Sequence, residues 1–270
     1  MSSTFSQQSD VLKVLQLTDT HLYGLPEDRL GGIDTHASLQ SVLDLAQAQH
    51  WPPDLILATG DLSQDGSREA YERLQTIFGS LEVPVYHLPG NHDIPALMKQ
   101  ILAGGQVKTE RHCRWGLWQF ILLDSTTPDE VGGHLSDQEL DFLDQCLRSY
   151  PELYALVCIH HQPVPIGNRW MDEIGLDNPA RFFAVLDRYP QAKGVLWGHV
   201  HQHFEDERKG VRLLATPSTC IQFKPETAHF TLDTTLPGYR WLELWPTGHI
   251  HTGVCRVERA EPADLGTQGY

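Results

Sequence analysis

Short apolar runs alternate with longer amphipathic stretches along the first two-thirds of the chain. Val11–Leu17, Leu55–Ala58 and Val83–Leu88 have the length of strands, and each stops at polar residues: Asp19, Gly60-Asp61 and Gly90-Asn91. Between them, Asp34–His50 places Leu39, Val42, Leu43 and Ala46 at helical spacing, and Ser67–Phe78 does the same with Ala70, Leu74 and Ile77. Ile94–Leu102 reads as a third helix, and Asp65 as the cap of the second. Phe120–Leu123, Leu153–Ile159 and Val195–Trp197 continue the strands, the last two ending at His160 and at Gly198-His199. Ser136–Leu147 carries a capping box, Ser136 with Glu139. Asn178–Leu186 is a helix with Asn178 as cap and Pro179 in its first turn.

The pattern then changes. Phe204–Asp206, Arg212–Ala215, His229–Asp233, Arg240–Leu244 and His249–Val257 read as short strands joined by turns, a largely antiparallel C-terminal section. Alternating strands and helices followed by β-rich sequence predict an α/β sandwich of two sheets flanked by helices. Strands this short and apolar fit sheets buried on both faces. No repeat or linker divides the chain, so residues 1–270 are expected to form one domain, with residues 1–10 and 260–270 as loose tails.

Composition narrows the function. Of 270 residues, 40% are hydrophobic and 20% charged, enough for a sizeable core. No apolar run reaches membrane-spanning length, and Met1–Asp10 lacks the basic and apolar regions of a signal peptide, which places the protein in the cytoplasm. Five scattered cysteines without a C-x-x-C point to reduced thiols. A formal net charge of -15 with no Lys/Arg cluster disfavours nucleic acid and acidic membranes as partners. Fifteen histidines in an acidic chain suggest metal binding instead.

The polar residues at the strand ends give that suggestion a geometry. Asp19 and His21 form D-x-H, Asp61 follows Gly60, Asn91 and His92 follow Gly90, His160 follows an apolar strand, and His199 and His201 form G-H-x-H. Ligands of open α/β sheets collect at the carboxyl ends of strands. Residues two apart on extended backbone share a face, so D-x-H and H-x-H each aim two side chains one way. Imidazole, carboxylate and amide oxygen without thiolate suit Mn, Fe, Co, Ni or Zn. Seven donors exceed what one ion with an open position takes, and suffice for two ions sharing one carboxylate, about 3.5–4 Å apart. Two dications outweigh two carboxylates and a shared hydroxide, so the site would attract a phosphate ester, with that hydroxide as nucleophile.

These motifs, in this order, resemble the calcineurin-like metallophosphoesterase superfamily. "LQLTDTHL", "ATGDLSQD", "LPGNHD", "GHVHQ", "LLATPSTCIQFKP" and "FTLDTTLPGYRWLEL" further resemble its bacterial class III 3',5'-cyclic-AMP phosphodiesterases, from about Leu12 to Leu244. The resemblance implies a four-layer αββα sandwich and two divalent or mixed-valence ions, iron or manganese before Zn, Co or Ni. It assigns Asp19, His21, Asp61 and His201 to one ion. Asp61 would bridge to a second, which also takes Asn91, His160 and His199. His92 would sit beside the phosphate and help the departing alcohol; Asn91 and His201 would also line the substrate. "HHQP" departs from the usual pattern and leaves His161 open between substrate-facing, supporting and structural roles.

The implied reaction is hydrolysis of 3',5'-cyclic AMP to 5'-AMP, the small cyclic nucleotide being the partner. Alternatives are a broader phosphodiesterase acting on 2',3'-cyclic nucleotides, a nuclease, which the acidic balance disfavours, and a non-catalytic scaffold, which the complete ligand set disfavours. Base selection would come from loops such as Leu22–Asp34 and Gln162–Asp177. Asp93 is expected to fix its turn or orient a ligand, His203 to be a partly exposed neighbour, and Gly31-Gly32 a flexible loop near the site mouth. The antiparallel C-terminal section is a candidate surface for a homo-oligomer.

Overall fold

The computed structural model describes residues 11–269; the expected loose N-terminus, residues 1–10, lies outside the described residues. In chain order the strands of the first half are β1 (Leu12–Leu17), β2 (Leu55–Thr59), β3 (Val85–Leu88), β4 (Val107–Lys108), β5 (His112–Trp115), β6 (Trp118–Leu122) and β7 (Tyr154–Cys158). The second half adds β8 (Ala192–Trp197), β9 (Phe204–Arg208), β10 (Val211–Ala215), β11 (Gln222–Phe223), β12 (Leu232–Asp233), β13 (Gly238–Leu244) and β14 (Ile250–Arg256). The helices are α1 (Thr35–Gln49), α2 (Arg68–Gly79), α3 (Pro95–Ile101), α4 (Asp137–Ser149), α5 (Arg169–Asp172) and α6 (Pro179–Leu186).

Two six-stranded sheets result, ordered β14-β13-β1-β2-β3-β4 and β5-β6-β7-β8-β10-β9. Strand periodicity explains how they stack. Val14, Leu55, Leu57, Phe120, Leu122, Leu156, Leu196 and Leu214 meet between the sheets. Their neighbours Leu15, Leu17, Ile56 and Ala58 turn outward onto Leu39, Val42, Leu43, Leu74 and Phe78 of α1 and α2. On the far side Ile121, Val157, Val195 and Trp197 pack against Leu140, Leu143, Leu147, Phe182 and Leu186 of α4 and α6. The expected four layers, helix–sheet–sheet–helix, are therefore present. Each fully buried Leu contributes about 1.5–3 kcal/mol, but such packing is non-directional.

Direction comes from polar side chains between the sheets. Gln16, on the inner face of β1, donates to Thr59 Oγ1 (2.7 Å) and to Trp197 O (3.1 Å), and accepts from Thr216 Oγ1. Arg240 stands opposite Gln16 in the β1–β13 register and is fully buried. Its guanidinium donates to Thr216 Oγ1 (3.1 Å), Ala215 O (2.8 Å), Glu205 Oε1 (2.7 Å) and Thr252 Oγ1 (3.2 Å). The two sheets are thus joined by directional bonds as well as by volume.

Several expectations need correction. The C-terminal strands are largely antiparallel, as expected, but most of them extend the two large sheets: β13 and β14 add antiparallel to β1, β10 joins β8 in parallel with β9 antiparallel to it, and only β11 and β12 pair as a separate two-stranded antiparallel sheet. Ser67, not Asp65, caps α2, its Oγ accepting from Ala70 N; Asp65 instead accepts from Gly24 N and from Ser67. Only half of the capping box forms. Ser136 Oγ accepts from Glu139 N, but the Glu139 carboxylate turns to Arg111 and to Asp124 N. Asn178 makes no side-chain cap and spends its amide on the backbone of Leu135. Helix α5 and strands β4 and β5 were not anticipated; they are too short for periodicity to register. Within the C-terminal stretch 260–269, Asp264 N donates to Gly31 O (2.7 Å). No helix among the described residues is long and apolar enough to cross a membrane.

Candidate metal centre

Strands β1, β2 and β3 run parallel, as do β6, β7 and β8, so their carboxyl ends share one edge of each sheet. Asp19 and His21 follow β1, Asp61 follows β2, Asn91 and His92 follow β3, His160 follows β7, and His199 and His201 follow β8. The first two loops are zipped together by Asp19 N to Gly60 O (3.0 Å) and His21 N to Asp61 O (2.9 Å). His199 N donates to Asp19 Oδ1 (3.0 Å) and so ties one sheet to the other.

Five of these residues, Asp19, His21, Asp61, His199 and His201, have left-handed backbone, with φ between 46° and 65°. Such conformations cost about 1–3 kcal/mol each and persist only where surrounding structure imposes them. They turn side chains back into the gap between the sheets. Glycines make the approach close enough. A Cβ at Gly90 would overlap the Asp61 carboxylate, and one at Gly198 would lie 2.6 Å from Asp19 Oδ2.

The donors form overlapping groups, among them His160, His161 and His199, and His21, Asp61 and His92. Asp19, His21 and His201 bring ligand atoms within 4.8 Å of one another, and so do Asp19, Asp61 and His160. Asp61 Oδ2 lies 3.2 Å from His160 Nε2 and 3.8 Å from His21 Nε2; His201 Nε2 is 3.4 Å from Asp19 Oδ1 and 3.1 Å from His21 Nε2. His160 Nδ1 donates to Thr59 O and His201 Nδ1 to Ile221 O, both at 2.9 Å, which leaves each Nε2 directed inward. His92 Nδ1 contacts Gln64 O (3.2 Å), and its backbone N–H donates to Asp61 Oδ1 (2.9 Å).

Electrostatics follow from burial. Desolvation drives His21 down to about 3 and His199 well below its usual range, the neutral form that ligates a metal. Burial would also depress His160, but the Asp61 carboxylate outweighs it and lifts the imidazole to about 9. Burial would raise Asp61, yet His160 and its neighbours hold the carboxyl well below the usual range.

Do these residues fit divalent ions? Asn91 Oδ1 and both ring nitrogens of His199 are buried without a hydrogen-bond partner. Buried polar atoms left unsatisfied are costly, and a cation bound beside them would satisfy the acceptors among them. The N/O donor set without sulfur matches a first-row divalent ion.

The structure brings all seven candidate ligands and His92 to this edge. Asp93 accepts from Leu62 N (3.1 Å), Ser63 N (3.0 Å), Gly90 N (2.9 Å) and Tyr71 Oη (3.1 Å), locking the second and third loops together. His161 is fully buried, its ring centroid 5.0 Å from that of His160 and 4.6 Å from that of His199. Its Nδ1 accepts from Ser125 Oγ (2.8 Å) and its Nε2 donates to Val131 O (3.1 Å), so both ring nitrogens have partners in the 125–131 loop, while one of them also lies within 4.8 Å of His160 and His199 ligand atoms. His203 is exposed and pairs with Glu205 at 3.0 Å. Sequence reasoning missed Ser125, Ser218 and Ile221, which act by single bonds to residues far along the chain and leave no local pattern.

A family pattern described as calcineurin-like phosphoesterase matches residues 12–203. A curated relative, the 3',5'-cyclic adenosine monophosphate phosphodiesterase CpdA of Pseudomonas aeruginosa, is 44% identical over 100% of this chain and 98% of its own. A 3',5'-cyclic-nucleotide phosphodiesterase of Nostoc sp. is 41% identical over 94% of this chain and 95% of its own. Among solved structures, a dimetal phosphatase from Danio rerio aligns with a TM-score of 0.62 at 16% identity, covering 92% of this chain and 100% of that one. The pattern spans well over half the chain and the relatives nearly all of it: the protein belongs to the calcineurin-like phosphoesterase family.

Proposed function

We propose that the protein hydrolyses the cyclic phosphodiester of 3',5'-cyclic AMP to 5'-AMP at this centre. The observation that carries the reading is the set of overlapping donor clusters that joins Asp19, His21, Asp61, His160, His199 and His201 at one edge of both sheets, in a chain similar over its whole length to a 3',5'-cyclic-AMP phosphodiesterase. Asp19, His21, Asp61 and His201 hold one divalent ion; Asp61, Asn91, His160 and His199 hold the other. Iron or manganese suits these donors, with Zn, Co or Ni as substitutes. When bound, the two ions supply Lewis acidity at the phosphoryl oxygens and a water that ionises near neutral pH.

The chain's own residues do the rest. The buried carboxylate of Asp61 sets the spacing of the two halves. Asn91 contributes a neutral oxygen, which leaves the site more positive than a third carboxylate would. His92, steadied by Gln64 O, hydrogen-bonds the departing 3' oxygen and gives it a proton as the P–O3' bond breaks and the water oxygen bonds to phosphorus. Asp93 holds the loop that carries both Asn91 and His92. The protein works as a single domain in the cytoplasm, a placement its five free cysteines favour.

The test is metal analysis of purified protein coupled to kcat/KM for cyclic AMP, cyclic GMP and 2',3'-cyclic AMP. A clear preference for cyclic AMP with two ions per chain is expected. A preference for the 2',3'-isomer would move the activity to the broader class. Fewer than one ion per chain, with no turnover after Mn2+ or Fe2+ addition, would leave a scaffold.

A further inference from the structure

Two donors on one side of the cage are held by a stretch that lies beyond the matched residues 12–203. Residues 218–223 leave β10 and end in β11. Ser218 Oγ donates to Asp19 O (2.8 Å), and Thr219 N donates to Thr18 O (3.2 Å). Cys220 N donates to Ser218 Oγ (2.9 Å) and keeps that hydroxyl aimed. One residue on, Ile221 O takes the Nδ1 hydrogen of His201. Phe223 then lies flat on the His201 imidazole, ring centroids 4.1 Å apart and planes within 10°. Phe223 is itself 1% exposed, with Trp170 and Phe230 edge-on to it at 5.1 and 5.5 Å.

A hydrogen bond at Nδ1 chooses which nitrogen faces inward but leaves the ring free to swing about that bond. A flat, immobile neighbour removes the swing. Supporting contacts of this kind fix a ligand's orientation, and their loss typically weakens metal binding about 10–100-fold.

We propose that Phe223 is a positioning residue for the ion held by Asp19, His21 and His201: it fixes the plane of the His201 ring while Ile221 fixes its tautomer. The proposal rests on the two-ion reading above and concerns one ion of the pair. Mn2+ titration calorimetry on the metal-stripped full-length protein tests it. Phe223→Leu keeps apolar bulk and loses the flat face. Phe182→Leu, in the buried contact of α6 with the second sheet, controls for lost core volume. Wild type is expected to take up two Mn2+. Phe223→Leu should bind one as wild type does and the other roughly 10–100-fold more weakly. Phe182→Leu should lower the thermal midpoint without changing either affinity. Two wild-type affinities in Phe223→Leu, or equal weakening of both, would overturn the proposal and leave the two-ion reading standing. Wild type binding fewer than two ions would instead end that reading. If the leucine variant does not fold, Phe223→Met is read against the same outcomes.

Discussion

Gly90→Ala replaces one hydrogen with a methyl group at a crowded point of the cage. The backbone of Gly90 is not left-handed, so alanine is conformationally acceptable and any effect must be steric. The added Cβ would fall against Oδ1 and the backbone nitrogen of Asp61 and 2.8 Å from its Cγ, closer than the 3.0 Å that real Cβ contacts respect. Asp61 has little room to yield, because Oδ1 accepts from His92 N and the main chain on either side is bonded to the first loop. Relief requires a displacement on the order of 1 Å, enough to cost about 10²-fold in turnover, and overpacking of this kind costs about 1–3 kcal/mol of stability. Because both halves of the cage share Asp61, the two ions should be lost together. Gly79→Ala, at the end of α2 with nothing within 4 Å of its Cβ, is the control and should be neutral or slightly stabilising. Metal content, cyclic AMP turnover at saturating Mn2+ and thermal midpoints would be compared. A Gly90→Ala protein with wild-type metal content and turnover would show that Asp61 is not the shared seat described above.

His92→Ala should lower turnover by about 10²–10⁴ while metal content stays near two per chain; loss of both ions would move His92 into the ligand set. His161→Ala leaves the buried Ser125 Oγ without its partner and opens a cavity at a fully buried ring, so a loss of about 2–4 kcal/mol in denaturant unfolding is expected with metal uptake unchanged. Depleted metal with normal stability would make His161 a ligand after all. Burial would raise the Glu205 carboxyl, but hydrogen bonds from Arg240 and His203 hold it down at about 2, below its ordinary 4.5. A depressed carboxylate contributes stability above the unfolded value and loses it as pH falls toward the folded one. Glu205→Gln should therefore be less stable by about 1–2 kcal/mol near neutrality, less than for a fully buried pair because water reaches Glu205. The gap should close between about pH 4.5 and 2. A gap independent of pH over that window would contradict the pairing.

The strand-end motifs were legible because each short apolar run stops where its backbone turns, and the turn is written in local residues such as Gly60-Asp61 and Gly198-His199. Helices α1, α2 and α4 were equally visible from their apolar spacing. What escaped were choices made between distant segments. Nothing near β13 announces that it pairs with β1, since an antiparallel partner is selected by register across more than two hundred residues. Glu139 fits a capping box by spacing, yet Arg111 and the Asp124 amide compete for its carboxylate and win. His160 stands out from His161 in sequence only by directly following the strand, which leaves the role of His161 unread. Their partners, Thr59 O for one ring and Ser125 Oγ for the other, lie far away in sequence.

The polar bolt of Gln16 and Arg240 has a consequence for how the protein can move. Gln16 grips Thr59 and Trp197, each two residues before a donor: Asp61 on one sheet and His199 on the other. Greasy surfaces alone would let the two leaves of the sandwich creep past each other, and the catalytic edge would shear with them. With that slip blocked, the spacing of the ion pair becomes a property of the whole scaffold. Damage far from the mouth, at Arg240 for instance, would then be felt as mis-set chemistry before it was felt as unfolding.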